Sequence, residues 1–97
     1  MPEAHELTNI YKAPKGLIRV DMSVRDGLIE QIRITGDFFM LPEDILPVLE
    51  RHLSGVRFEE QAVGNAIESF YRLGMMITPM LGRGDLVKAV MGAKHGG

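Results

Sequence analysis

The sequence contains no cysteine. Without cysteine the chain cannot form disulfides, use a thiolate nucleophile or hold an iron–sulfur cluster, and cysteine-based zinc sites are excluded as well. No apolar run approaches the ~20 residues that a membrane-spanning helix needs. The first nine residues, MPEAHELTN, lack the basic and apolar regions of a secretory signal. These absences predict a cytoplasmic protein that does not enter the membrane.

A surplus of positive charge is also missing, because the formal net charge is −2. Nucleic-acid binding is therefore not expected, since it needs a basic footprint. The histidines at positions 5, 52 and 95 do not have the spacing of metal ligands, so we expect no metal site. The acidic pairs Glu43–Asp44 and Glu59–Glu60 lie at the starts of expected helices, where they compensate the helix dipole. No serine has a plausible His/Asp partner, and the sequence predicts no catalytic residue.

With 97 residues, the chain is expected to form a single domain over residues 1–97. Apolar residues make up 45% of the sequence and charged residues 25%, as in ordinary soluble domains. Residues 1–6 and 92–97 are polar or glycine-rich, and we expect both ends to be flexible. A short first strand is expected over Leu7–Lys12.

The clearest pattern is a β-hairpin. From Leu17 onward, residues alternate between apolar and polar, which is typical of a half-buried antiparallel strand; the apolar face holds Ile18, Val20, Met22 and Val24. The following Asp26–Gly27 pair predicts a two-residue type I′ turn. A return strand is expected over Leu28–Thr35 with Leu28, Ile32 and Ile34 facing inward. Glu30 interrupts that apolar face.

Three helices are expected after the hairpin. The first is predicted to begin with Pro42 at its first position and to end before Gly55. The second is predicted from Glu59 to about Leu73, and the third from Asp85 to Met91 with Asp85 as its N-cap. Strands followed by helices predict an α+β domain, in which a small antiparallel sheet carries about three helices on one face.

Two groups of residues allow two interpretations each. Phe38 and Phe39 either both fill the seam between sheet and first helix, or one of them is an exposed aromatic anchor for a partner. Met75, Met76 and Met80 either fill gaps in the core, which is the favoured interpretation, or form an adaptable contact surface.

The order of several short motifs between positions 11 and 91 resembles a known family. The motifs are the lysine-containing lead-in Lys12–Lys15, the strand start Gly16-Leu17-Ile18, the Asp26-Gly27 turn and the tail Gly36-Asp37-Phe38-Phe39, followed by LPEDILPVLERHLSGVRF. In this order they resemble the C-terminal accessory domain of lipoate–protein ligases. The arginine- and glycine-rich motif and catalytic lysine of a complete ligase have no counterpart here. The chain therefore resembles the separate small subunit of a split, archaeal-type ligase.

This resemblance implies a function as well as a fold. The fold would be similar to scaffold proteins of the SufE/NifU type, without their sulfur chemistry. The partner would be a large catalytic subunit, forming a heterodimer that uses ATP, Mg and lipoate to make lipoyl-AMP and then lipoylates a lysine of an acceptor domain. The small subunit would be inactive alone, would bind no cofactor by itself, and would meet acceptor domains only indirectly.

The residues expected to contact the partner or its adenylate site are Lys12, Lys15, Gly16, Asp37, Phe38 and Phe39. In a hairpin sheet, the lead-in to one strand and the exit of the next lie at the same end, so these residues can form one surface. Two other functions stay open at this point: a stand-alone binding or regulatory module, and a small enzyme that uses Asp or Lys side chains.

Overall fold

The computed structural model describes residues 3–95, which fold into one antiparallel sheet and three helices. In chain order the elements are β1 (His5–Ala13), β2 (Gly16–Arg25), β3 (Leu28–Asp37), α1 (Ile45–Leu53), α2 (Glu60–Arg72), α3 (Asp85–Met91) and β4 (Lys94–His95). The strands lie in the order β3-β2-β1-β4. This confirms the predicted α+β architecture. No helix within the described residues is long and apolar enough to cross a membrane.

Both ends of the described chain join the sheet. The first strand begins at His5 rather than at Leu7, and β4 pairs through Lys94 and His95 with Thr8 and Leu7. Part of each segment expected to be flexible therefore forms strand hydrogen bonds. The flexibility expected for residues 1, 2, 96 and 97 lies outside the described residues.

The β2–β3 hairpin has the predicted turn but a different inward face. Asp26 and Gly27 both have positive φ, 55° and 76°, which is the geometry of a type I′ turn. Next to the turn, Val24 pairs with Ile29 whereas Ser23 pairs with Gln31, so Glu30 is an extra, unpaired residue.

This bulge decides which side chains are buried. Ile29 is fully buried, and the exposed Leu28 does not face the core, so that prediction was wrong. Glu30, which interrupted the apolar alternation in the sequence, is the bulged residue. Its carboxylate accepts a hydrogen bond from Arg25 Nε at 2.7 Å.

The first helix starts three residues later than predicted, at Ile45. The reason is Pro47, which has no backbone N–H to donate. Backbone N–H groups in the first turn of a helix have no helical acceptor, so proline is tolerated there. A helix that began at Pro42 would place Pro47 in its second turn, where the missing N–H would cost a helical hydrogen bond. The predicted end is confirmed, because Gly55 follows the helix with φ 90°.

The other two helices lie where the sequence placed them, with small differences at their ends. Leu73, expected as the last residue of α2, follows the helix as its C-cap and is exposed. The N-cap of α3 is Gly84, and the predicted cap Asp85 is the first helical residue. Its carboxylate accepts the backbone N–H of Gly82 at 2.8 Å, which closes the turn before the helix.

The core lies between the sheet and the helices on one face. Its fully buried large side chains come from every major element except β1: Ile18, Val20, Ile29, Ile34, Leu49, Leu53, Val63, Ile67, Met76, Leu86 and Val90. The edge strand β3 is covered by α1, and Glu50 Oε2 accepts the backbone N–H of Ile34 at 2.6 Å. This bond satisfies an edge donor that would otherwise lack a partner.

The end of β3 depends on one glycine. Gly36 has φ 149°, and a Cβ atom at this position would lie 2.0 Å from the carbonyl oxygen of Leu17 on the neighbouring strand. No side chain fits there without moving the β2–β3 pairing. Gly36 is therefore what allows β3 to stay paired up to Asp37 before the chain leaves the sheet.

We predict that Gly36→Ala destabilises the protein by at least ~2 kcal/mol, because the new methyl group strains the backbone against β2. Urea denaturation measures the change in the free energy of unfolding. The matched control is Gly64→Ala in α2, where a Cβ atom meets nothing within 4 Å. This control should be neutral or stabilising by up to ~1 kcal/mol. A Gly36→Ala variant as stable as wild type would contradict this account of the strand end.

Candidate partner-contact site

The structure brings the two predicted contact segments together at one end of the sheet. Gly16 pairs with Ala13 across the β1–β2 turn, and the next residue, Leu17, pairs with Asp37. A Cβ atom built on Gly16 would lie 3.0 Å from the carbonyl oxygen of Asp37 and 3.4 Å from Cβ of Phe38. The loop that carries Lys15 thus touches the chain that leaves β3.

The two phenylalanines have different environments. Phe38 is half-buried and packs against the core, whereas Phe39 exposes 71% of its surface. The first of the two open interpretations, in which both rings fill a seam, does not fit this arrangement. Phe38 joins the sheet to the rest of the core, and Phe39 presents an aromatic ring to solvent.

The basic side chains near this end are not equivalent. Arg19 donates a hydrogen bond through Nε to Asp21 at 2.9 Å, and this bond lowers the pKa of the Asp21 carboxyl. Lys12 and Lys15 are exposed, and neither forms an ion pair with another residue in the range 3–95. Of Lys12, Lys15 and Arg19, only the two lysines are therefore open to an anionic partner.

Sequence reasoning missed a second feature next to this site. Leu41 and Ile77, far apart in sequence, exchange both backbone hydrogen bonds at 2.8 Å each. The pair fixes the segment after Phe39 against the connector between α2 and α3. A local apolar–polar pattern does not reveal such a pairing, because residues 38–41 and 75–77 are apolar at every position.

The connector itself is held by side chains. Tyr71 and Thr78 share a hydrogen bond of 2.7 Å between their hydroxyl oxygens, and burial raises the pKa of the Tyr71 phenol. Arg83 lies over the Tyr71 ring, 5.4 Å from its centre, and donates to Glu68 at 2.7 Å. The methionine cluster is split between its two interpretations: Met76 is buried, whereas Met75 and Met80 are exposed.

An open groove of about 370 Å³ runs beside Phe39, lined by Ile34, Thr35, Gly36, Phe38, Phe39, Met40, Glu43 and Leu46. Its walls are mostly apolar and its only charged lining residue is Glu43. Among residues 3–95, no three His, Asp or Glu side chains lie close enough to hold a metal ion. The site therefore offers exposed apolar and cationic groups for contact with another molecule.

Comparison with known proteins identifies the family. Residues 3–82 match the family described as the bacterial lipoate protein ligase C-terminus. The chain belongs to this family. The match covers most of the sequence and confirms the resemblance carried by the motifs from Lys12 to Phe39.

Two known proteins are similar to this chain over most of their length. One is lipoate-protein ligase A subunit 2 of Thermoplasma acidophilum, 41% identical over 80 residues, which are 82% of this chain and 82% of the relative. The other is a chain from the structural analysis of an archaeal lipoylation system, described as a bi-partite lipoate protein ligase and its E2 lipoyl domain from the same organism. It is 37% identical with a TM-score of 0.80, covering 93% of this chain and 97% of that one.

The different environments of the two phenylalanines predict effects of different size on stability. Phe38→Ala should lower the free energy of unfolding by roughly 1–3 kcal/mol, because a half-buried ring leaves the core. Phe39→Ala should change it by less than ~0.5 kcal/mol, since most of that ring is already in water. Thermal and urea unfolding of both variants measure the difference. Equal destabilisation by the two changes would place Phe39 in the core and rule it out as a partner anchor.

Proposed function

We propose that the protein is the accessory small subunit of a two-chain lipoate–protein ligase. With the large catalytic subunit it would be required for ATP-dependent activation of lipoate to lipoyl-AMP, before the lipoyl group passes to a lysine of an acceptor domain. The observation that carries the proposal is the similarity to a relative named as subunit 2 of such a ligase, over 82% of both chains.

In the proposed complex, the catalytic groups belong to the large subunit. ATP, Mg and lipoate are used by the complex, and this chain binds none of them alone. The small subunit acts as a lid or clamp that orders the adenylate site of its partner. Lipoyl-AMP is a mixed anhydride that water can hydrolyse, so closing the site over it protects the intermediate. We propose that the complex works in the cytoplasm.

We further propose that the end of the sheet described above is the part that meets the large subunit. Lys12 and Lys15 would approach either the anionic phosphates of ATP and the adenylate or an acidic patch of the partner. Phe39 would be the aromatic anchor. Asp37 and Phe38, packed against Gly16, would hold the loop and the tail in one surface.

Reconstitution with purified subunits tests the function. We expect no lipoate-dependent pyrophosphate release or lipoyl-AMP with this chain alone, because the catalytic groups are those of the large subunit. Adding it to the cognate large subunit should increase adenylate formation at least tenfold. A large subunit that activates lipoate equally well without this chain would contradict the accessory role. Association without any effect on catalysis would instead favour a regulatory binding module.

The lysine contacts have a separate test. Lys15→Ala should weaken the complex or its adenylation rate about fivefold at low salt, as expected for loss of an exposed charge contact worth ~1 kcal/mol. The effect should shrink as ionic strength rises, because salt screens exposed charges. Lys94→Ala, which removes an exposed lysine on the far edge strand, is the control. If both variants behave like wild type at every salt concentration, Lys15 has no part in the contact.

A further inference from the structure

A row of exposed apolar side chains continues from Phe39 along segments 39–41 and 75–77, which pair with each other at Leu41 and Ile77. Its members, which we call the apolar ridge, are Phe39, Leu41, Met75 and Ile77, and each exposes between 38% and 71% of its surface. The residues between them, Met40 and Met76, point inward and are buried. The ridge therefore has the one-sided alternation of two short strands whose inner side is already packed.

The backbone of the ridge is fixed without a partner. Leu41 and Ile77 form a hydrogen-bonded antiparallel pair, which places their side chains on the same face. The N–H of Met75 donates to the carbonyl oxygen of Phe70 at 2.8 Å, and Thr78 is held by Tyr71. A surface that is already ordered loses little conformational entropy when it binds.

The ridge adjoins the candidate contact site. The connector continues from Ile77 to Leu81, and Thr78 and Leu81 are linked by a hydrogen bond of 3.5 Å. A Cβ atom on Gly16 would lie 3.2 Å from Cδ2 of Leu81. The apolar ridge and the loop that carries Lys15 thus lie at the same end of the molecule. This end has an apolar centre with charged neighbours, as protein interfaces do.

We propose that the apolar ridge is the docking surface for the large ligase subunit, which presents an apolar patch to it; this inference rests on the function proposed above. The four side chains offer roughly 400 Å² of apolar surface, a size at which exposed patches are often functional and about half of what one partner buries in a standard interface. The adjoining loop and lysines supply further area. A similar chain comes from the structural analysis of a bi-partite ligase. This similarity favours a large subunit, rather than a second copy of this chain, as the molecule that covers the ridge.

A matched pair of isoleucines tests the ridge. Ile77 and Ile10 both expose 59% of their surface, but Ile10 lies on the opposite, open face of the sheet. Ile77→Ser should weaken binding to the cognate large subunit about tenfold or more, as loss of a central interface side chain does. Ile10→Ser should change the affinity less than about twofold. Titration calorimetry gives the Kd, and far-UV circular dichroism checks that both variants fold.

Leu41→Ser is a second, independent ridge variant with the same expected effect, and exposed Leu28 near the β2–β3 turn provides its control, Leu28→Ser. If the wild-type protein binds the large subunit and both ridge variants bind it with the same affinity, the ridge is not the docking surface, and the proposed function stays intact. No binding by the wild-type protein would overturn both. Concentration-dependent dimers that disappear in Ile77→Ser, with the large subunit still bound at wild-type affinity, would make the ridge a self-association surface and overturn the proposal.

Discussion

The pairing of β2 with β3 is the constraint on which the rest of the structure depends. It sets the buried face of both strands, and it continues to Asp37 because Gly36 has no side chain to collide with Leu17. A strand that ended earlier would release Phe38 from the core and separate the Lys15 loop from the tail. The contact site is therefore a consequence of how far one strand stays paired.

A second constraint acts on the side that we propose faces the partner. The backbone pair Leu41–Ile77 decides that Met40 and Met76 complete the core while Phe39 and Ile77 stay in water. Large apolar side chains that stay exposed do not stabilise an isolated domain. The same side chains would stabilise it if they were buried in the core. Their position is understandable in a protein whose surface is completed by another chain.

Local patterns in the sequence were sufficient for much of the fold. The Asp26–Gly27 turn, the alternation after Leu17 and the glycine that ends α1 each depend on neighbouring residues, and each was predicted correctly. The inward position of Ile29 was not, because alternation cannot show which strand carries the extra residue of a bulge. The helix start was misplaced because Pro42 was given more weight than Pro47.

The candidate contact site was likewise predictable from the sequence only in part. The meeting of the Lys15 loop with Phe38 followed from hairpin geometry, which is local. The contribution of Leu41 and Ile77 did not, because their pairing joins positions far apart in sequence and both segments, 38–41 and 75–77, are apolar at every position. The split of the methionines between core and surface was equally hidden, since Met76 is buried next to the residue that forms this pairing while Met75 stays exposed.

In our proposal, one end of this domain completes a larger ligase subunit. Hydrogen–deuterium exchange of the free protein and of its complex tests that claim most directly. The account predicts that the complex slows exchange in peptides covering residues 36–44 and 74–82 and leaves the β2–β3 turn, residues 25–28, unchanged. Protection confined to that turn or to the open face of the sheet, with unchanged exchange in 36–44 and 74–82, would contradict it.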